Sequence, residues 1–174
     1  MEELRGFFED AEVVEFPRKG IITREGQLEK YLYWVEEGIQ RSYYIRNGKE
    51  YTIAFTYPPS VSGIPESMLS GKPSRYFLEC ITPSSMLRMP YARIKEKADA
   101  DPGMQKAFLN ITQMVLIGTL ERQFELLAFS AEEKFKTFLQ RSPHLLNLVP
   151  HKHLASYLGM DPATFSKLLG RIKL

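Results

Sequence analysis

Cysteine and histidine are scarce in this 174-residue sequence, which has one Cys and three His. Cys80 has no partner for an intrachain disulfide, which favours a reducing compartment, and one Cys excludes a four-cysteine iron–sulfur site within a chain. All three histidines (His144, His151, His153) lie after residue 130. The first 130 residues therefore lack the His cluster of a cupin-type enzyme and a His ligand for haem. We predict that the protein is not an enzyme, and we assign it no metal site and no cofactor.

Long apolar runs are also missing. No stretch approaches the ~18 uninterrupted apolar residues that a membrane-spanning helix needs. The acidic start, MEELRGFFEDAEVVEF, lacks the basic region and apolar run of a signal peptide. Neither a G-x-S-x-G motif nor a P-loop is present. We expect a cytoplasmic protein with no membrane partner.

Charge is distributed unevenly, although the formal net charge is only +2. Residues 1–130 carry 16 Lys+Arg and 18 Asp+Glu, a net of −2, whereas residues 131–174 carry 7 and 3, a net of +4. A basic segment at one end indicates an anionic partner there. This excess alone is too small to identify that partner.

The segment from residue 13 to about 90 reads as short strands separated by Gly and Pro turns. Asn47-Gly48 lies between two aromatic and β-branched runs, which predicts a hairpin because both positions tolerate positive φ. Closely spaced strands of this kind predict a β-roll, barrel or sandwich. The predicted strands are VVEF (13–16), YLYWV (31–35), IQRSYYI (39–45), EYTIAFTY (50–57), YFLECI (76–81) and SMLRMP (85–90).

A long helix is predicted from Met104 to Phe129, after a short helix over Tyr91–Ala100. Apolar residues recur along the long helix at steps of three and four, and further apolar residues widen this surface. Such a helix needs two surfaces to pack against. We predict that one side packs on the β-unit and another on the same helix of a second copy, with Gly118 allowing close approach. The predicted dimer-helix residues are Phe108, Ile111, Met114, Val115 and Gly118.

The C-terminal region is predicted to be helical and to contain a helix-turn-helix. Ser130 and Glu133 form a capping-box pattern for a helix over 131–142. A second helix over 151–159 ends at Gly159, and Asp161-Pro162 starts a third. In a helix-turn-helix the second helix enters the major groove of DNA. The predicted DNA-binding residues are Ala163, Thr164, Ser166, Lys167, Arg171, Lys173 and Lys152. His151 and His153 point in different directions and are interpreted as partly exposed side chains or phosphate contacts.

The whole chain resembles the Crp-Fnr superfamily of bacterial transcription regulators. The resemblance rests on EKYLYWVEEGIQRSYYIRNGKEYTIAF (29–55), SGKPSRYFLECITPSSMLRMP (70–90), LLAFSAEEKFKTFLQ (126–140) and VPHKHLASYLGMDPATFSKLLGRI (149–172). It implies an α+β fold: an N-terminal β-roll, or jelly roll, that senses an effector (1–102), a long dimerisation helix (103–130) and a DNA-binding helix-turn-helix (131–174). It also implies a homodimer that reads a two-fold site on double-stranded DNA, with RNA polymerase as a further possible partner.

The resemblance also suggests where an effector would bind. Cyclic-AMP-responsive relatives carry a Glu for the ribose and an Arg for the phosphate, and the aligned positions here are Ile64 and Ser74. Glu66 and Arg75 lie out of register, and Leu120 and Glu121 replace base-contacting hydroxyl residues. We therefore predict a small effector other than cyclic AMP, or none. The candidate pocket residues are Gly63, Ile64, Glu66, Ser74, Arg75, Leu120 and Glu121. The alternative is a β-roll regulatory or ligand-binding protein whose helical tail does not read DNA.

Overall fold

The computed structural model describes residues 2–171, with side chains from Leu4 onward. It shows an α+β chain: an eight-stranded antiparallel β-roll, then a long helix and four shorter C-terminal helices. The strands are β1 (Glu12–Phe16), β2 (Ile21–Thr23), β3 (Tyr31–Glu37), β4 (Gln40–Arg46), β5 (Lys49–Thr56), β6 (Ser60–Ser62), β7 (Phe77–Cys80) and β8 (Ser84–Pro90). The helices are α1 (Glu2–Arg5), α2 (Pro65–Ser70), α3 (Tyr91–Ala100), α4 (Pro102–Ala128), α5 (Ala131–Arg141), α6 (Leu145–Leu148), α7 (His151–Tyr157) and α8 (Pro162–Arg171), with a 3₁₀ turn over Gly6–Phe8.

The roll consists of two four-stranded sheets. The first has the order β1-β8-β3-β6 and the second β2-β7-β4-β5, and every pairing is antiparallel. Between them lies a core in which Tyr33, Val35 and Met86 of the first sheet meet Cys80 of the second. Cys80 is fully buried, and burial raises the pKa of its thiol. It is a core residue here.

The Asn47-Gly48 hairpin forms as the sequence predicts. Both residues have positive φ, 53° and 71°, and join β4 to β5 in a two-residue turn. The turn fixes the register, so Tyr44 lies opposite Tyr51 and their rings stack with centroids 5.0 Å apart. Cross-strand aromatic pairs of this kind stabilise a sheet.

The N-terminal residues and helix α3 pack against the start of α4. Phe7, Phe8, Trp34 and Ile94 form this cluster with Ala107 of α4. Asp101 caps α4, since its carboxylate accepts a hydrogen bond from the Met104 backbone N–H at 2.8 Å, and Pro102 occupies the first turn. These signals at the start of the helix are the ones that helix N-termini favour.

Beyond its first turns α4 packs on little of its own chain. Of its 27 residues only Ala107 and Glu125 are buried. Nine large apolar side chains of this helix are 40–79 % exposed: Leu109, Met114, Val115, Leu116, Ile117, Leu120, Phe124, Leu126 and Leu127.

In residues 2–171 no helix combines the length and apolarity needed to cross a bilayer.

The C-terminal helices share a core with the roll. Phe135, Phe138, Leu154 and Phe165 lie in one buried cluster that also contains Ile39 and Ile81 of the roll. The capping box predicted at the start of α5 is present, because Ser130 and Glu133 exchange hydrogen bonds. The C-terminal unit is thus docked on the roll as well as connected to it through α4.

Several short elements of the structure are not predicted by the sequence patterns. The six strands predicted from the sequence all form, but the three-residue strands β2 and β6 and the six-residue helix α2 were not predicted. Three residues are too few for a hydrophobic alternation to be visible. Helix α6 is a single turn over Leu145–Leu148.

Candidate nucleic-acid interface

Helices α7 and α8 form the helix-turn-helix that the sequence predicts. The turn between them depends on Gly159, whose φ of 64° is a left-handed conformation. Asp161 then caps α8, since its carboxylate accepts from the Thr164 N–H at 2.9 Å and from the Thr164 hydroxyl. These bonds hold the pKa of Asp161 below its usual range. Phe165 is fully buried and fixes α8 against the remaining helices.

The outer face of α8 carries most of the predicted DNA-binding residues. Ala163, Ser166 and Lys167 are exposed, and Arg171 is exposed one turn later. This spacing places them on one side of the helix, away from Phe165. The structure thus brings four of the predicted residues together.

The hydroxyl groups of this face already have partners within α8. Thr164 is half-buried and donates to Asp161, and the Ser166 hydroxyl donates to the Pro162 carbonyl at 2.9 Å. Lys167 and Arg171 make no ion pair among the described residues, so they are the available cations. Lys173 lies outside the described residues.

Lys152 occupies a different place from the α8 residues. It is exposed on α7 and lines a cavity between α7 and the roll. Within residues 2–171 the structure shows no cluster of three or more His, Cys, Asp or Glu able to hold a metal ion.

A buried arginine joins the helix-turn-helix to the roll. Arg41 of β4 is 1 % exposed. Its guanidinium donates to Glu79 at 2.8 Å and to Glu50 at 2.8 Å, and it approaches Nδ1 of His153 on α7 to 2.5 Å. A second bond joins α7 to the neighbouring strand β5, since the Thr52 backbone N–H donates to the Ser156 hydroxyl at 3.0 Å. These contacts fix the first helix of the motif on the outer face of the second sheet.

His153 is therefore a structural contact rather than a surface residue. The Arg41 guanidinium has only donors, so Nδ1 of His153 must accept and the ring must be neutral with its proton on Nε2. Burial, and then the charges of Arg41 and Lys152, lower the pKa of His153 to about 4, against the opposing charge of Glu50. Sequence reasoning missed this contact because its two partners are 112 positions apart.

A second charged group ties α4 to the C-terminal helices. Glu125 of α4 accepts from Arg141 of α5 at 2.8 Å and from Arg122 at 3.0 Å. Burial alone would raise the pKa of Glu125, but the hydrogen bonds and charges of Arg141 and Arg122 outweigh it and lower the pKa. Arg122 also donates to the Tyr157 carbonyl of α7.

The predicted effector residues surround α2 but do not form one site within the chain. Ile64 is buried before α2, and the hydroxyl of buried Ser74 donates to the Tyr76 carbonyl at 2.8 Å. Glu66 and Arg75 form an exposed ion pair at 2.6 Å, with the Arg75 side chain 74 % exposed. Gly63 adjoins this group at a φ of 153°.

Leu120 and Glu121, the two α4 residues among the predicted effector residues, lie away from α2. The depression beside Leu120 and Glu121 is lined by residues of α4, α5 and the loop between them, with none from the roll. Helix α2 instead meets α4 earlier, where a small apolar cavity of about 110 Å³ is lined by Met68 and by the segment of α4 from Phe108 to Val115. Phe108 and Ile111 of the predicted dimer set also pack on the N-terminal cluster.

One buried carboxyl near α2 was not anticipated. Glu29 is buried, accepts from the Thr23 hydroxyl at 2.5 Å and from the Lys30 N–H at 3.1 Å, and burial raises its pKa. Its own N–H donates to the Ser67 hydroxyl of α2 at 3.0 Å. A Glu in a polar loop gives no sequence signal of burial.

Comparison with known protein families identifies the family to which the roll belongs. The family model described as "Cyclic nucleotide-binding domain" matches residues 13–101, which is more than half of the chain. The chain belongs to the cyclic nucleotide-binding domain family. A search of curated protein sequences found no significant match.

Solved structures share the fold of this family member over almost its full length. FixK2 from Bradyrhizobium japonicum is 23 % identical with a TM-score of 0.80, over 92 % of this chain and 83 % of that one. The c-di-GMP-responsive global regulator CLP of Xanthomonas campestris is 14 % identical with a TM-score of 0.69 (98 % and 90 %). The catabolite activator protein of Thermus thermophilus is 21 % identical with a TM-score of 0.58 (97 % and 81 %). The roll, the long helix and the C-terminal helices thus have the same fold as these three structures.

Proposed function

We propose that this protein is a homodimeric transcription regulator that reads a two-fold site on duplex DNA with α8. The observation that carries the proposal is the exposed face of α8, with Lys167 and Arg171, on a helix-turn-helix held in the Crp-Fnr arrangement. In such motifs the N-terminal half of the second helix meets base edges and later cations meet phosphates.

Dimerisation through α4 is supported by the apolar surface that the chain leaves uncovered. Residues 112–121 are all exposed, and five of them are large apolar side chains: Met114, Val115, Leu116, Ile117 and Leu120. Helix α4 is about 40 Å long, and an apolar surface left uncovered on it needs a partner surface in water. Gly118 has open space around it, which would let a second helix approach closely. Met114, Val115 and Gly118 are the predicted interface residues that remain free for this role.

A response to an effector other than cyclic AMP is supported by the surroundings of α2. A ribose contact would need a carboxylate where the apolar side chain of Ile64 is buried. A buried phosphate would need a guanidinium beside it, but Arg75 extends into solvent and pairs with Glu66.

DNA binding is tested by removing the two available cations of α8. The Lys167→Ala, Arg171→Ala variant should bind a random-sequence duplex more weakly in fluorescence anisotropy. A dimer would lose up to four phosphate contacts, so the slope of log K against log salt should fall by up to about 3.6. The matched control is Lys95→Ala, Lys106→Ala, which removes two exposed cations from α3 and α4. Equal binding by the α8 variant and the wild type would overturn the assignment of α8.

Dimerisation is tested by placing charge on α4. In the Met114→Asp, Gly118→Asp variant, sedimentation should show a monomer, because two carboxylates per chain would be buried without partners. Neither residue packs within its own chain, so the fold should persist by circular dichroism. The control, Asn110→Asp with Gln113→Asp, adds the same charge at exposed polar positions of α4. A monomeric wild type, or a dimeric Met114→Asp, Gly118→Asp variant, would contradict the proposal.

The alternative is a β-roll regulatory protein whose helical tail does not read DNA. One observation favours it: the hydroxyls of Thr164 and Ser166 are engaged within α8, which leaves that face few free donors. This alternative predicts that the wild type is a dimer but shows no salt-sensitive binding to any duplex.

A further inference from the structure

A cavity of about 230 Å³ lies where α7 docks on the roll. It is separate from α2, from the exposed face of α8 and from the apolar surface of α4. Both units line it: the turn at Arg18 and Lys19 and strands β4, β5 and β7 belong to the roll, and Pro150, Lys152 and His153 belong to the C-terminal unit. A ligand in this cavity would therefore touch both units at once.

The lining is cationic. Arg18, Lys19, Arg41 and Lys152 face two carboxylates, Glu50 and Glu79, which leaves a net charge of +2. Both carboxylates are already bound by Arg41, at 2.8 Å and 2.6 Å. Among the described residues Arg18, Lys19 and Lys152 form no ion pair. Arg41 and its two carboxylates together carry a net charge of −1, so Arg18, Lys19 and Lys152 leave an excess of two positive charges in the lining.

His153 adds a hydrogen-bond donor to the same cavity. Its Nδ1 is held by Arg41, which places the ring proton on Nε2. His153 is 9 % exposed, and its Nε2 makes no hydrogen bond among the described residues. The Nε2–H can therefore donate to an acceptor in the cavity.

The backbone holds Lys19 at this cavity in an unusual conformation. Lys19 has a φ of 66°, a left-handed value that is sterically unfavourable for a non-glycine residue. Its N–H donates to the Cys80 carbonyl at 2.7 Å and Gly20 follows it with a bond to the Pro17 carbonyl at 2.8 Å. These two hydrogen bonds hold the backbone of Lys19 at the edge of the cavity.

We propose that this cavity binds a small phosphate-type dianion, and that the bound anion holds the helix-turn-helix against the roll. An anion with several acceptor oxygens matches the three free cations and the His153 Nε2–H. The volume lies below the ~300 Å³ at which sites for drug-sized ligands begin, so the ligand is inorganic phosphate or a small phosphate monoester. Because both units line the site, binding favours the docked arrangement over an undocked one.

Histidine NMR gives a direct test, with inorganic phosphate as the ligand added. Imidazole ¹⁵N spectra of the full chain are recorded during a phosphate titration at pH 8, with ionic strength held constant by sodium chloride. Nε2 of His153 should shift and saturate, whereas the nitrogens of His144 and His151 should not. The Lys19→Gln, Lys152→Gln variant should bind at least about tenfold more weakly, equivalent to ~1.4 kcal/mol. Like Lys, Gln is long and unbranched at Cβ, so the substitution at position 19 removes the charge without adding backbone strain.

The control variant is Lys95→Gln, Lys106→Gln, which removes the same charge from α3 and α4 and should bind phosphate as the wild type does. The proposal is wrong if His153 shows no saturating shift, or if chloride alone produces the same shift. It is also wrong if the control variant loses as much affinity as the cavity variant. None of these outcomes depends on DNA binding, so a failure here leaves the proposed regulator function intact.

Discussion

Protonation of His153 should release α7 from the roll. An imidazolium would place an N–H against the Arg41 guanidinium, which has no acceptor to offer, and would add a like charge to Arg41 and Lys152. Glu50 is the carboxylate near the ring, at 3.9 Å, and it is already bonded to Arg41. The docked form therefore resists protonation, and acid favours the undocked or unfolded chain.

The magnitude follows from the pKa of His153, which falls from the model-peptide value of 6.5 to about 4 in the folded chain. The unfolded chain binds more protons below pH 6.5, so stability falls as the pH decreases from 6.5 and levels off near 4. At ~1.4 kcal/mol per pKa unit the full loss is about 3 kcal/mol, of which roughly 2 kcal/mol falls between pH 7 and pH 5.

Urea unfolding at pH 7 and pH 5 measures this loss. The decisive variant is His153→Gln, which offers Arg41 a carbonyl acceptor that does not titrate in this range. Its free energy of unfolding should decrease by about 2 kcal/mol less than that of the wild type between the two pH values. His144→Gln, which replaces an exposed histidine, should behave as the wild type does. The reasoning is refuted if the wild type and His153→Gln lose equal stability, or if His153 titrates near pH 6.5 by NMR.

Three further substitutions test the fold by urea unfolding at neutral pH. Ser130→Ala should cost about 1 kcal/mol because it removes the α5 capping box, and no loss would contradict that role. Phe165→Ala should cost about 3–5 kcal/mol, since it empties a fully buried site, and a loss below ~1 kcal/mol would be inconsistent with its burial. Gly38→Ala should cost about 2–4 kcal/mol: φ is 93°, and a Cβ would lie 2.5 Å from the Pro83 carbonyl and 2.7 Å from Cα of Ser84. Unchanged stability there would show that the loop relaxes.

Local signals account for what the sequence predicts well. The Asn47-Gly48 turn, the Ser130 capping box and the Gly159 turn each involve neighbours within a few residues, and each forms as expected. The short strands β2 and β6 carry no such signal, because pairing with distant strands defines them.

The site is less predictable than the fold because its contacts are distant in sequence. The exposed face of α8 follows from helical periodicity around Phe165. The docking of α7 does not, since Ser156 and His153 bond to residues of β4 and β5 that are more than 100 positions away. Leu120 lies apart from α2 because α4 contacts the roll only along its earlier turns, up to Val115. The apolar pattern of α4 does not show at which residue this contact ends.

Selection from a random duplex library tests the central claim most directly. The wild-type protein is equilibrated with the library, bound duplexes are recovered and amplified, and the enriched sequences are aligned. The proposal predicts an inverted repeat whose half-sites lie about 10 bp apart, centre to centre, because two copies of α8 related by a two-fold axis would enter successive major grooves on one side of the duplex. The Lys167→Ala, Arg171→Ala variant should enrich this repeat weakly or not at all. No enrichment by the wild type, or enrichment of a single unrepeated element, would contradict the proposed dimeric reader of DNA.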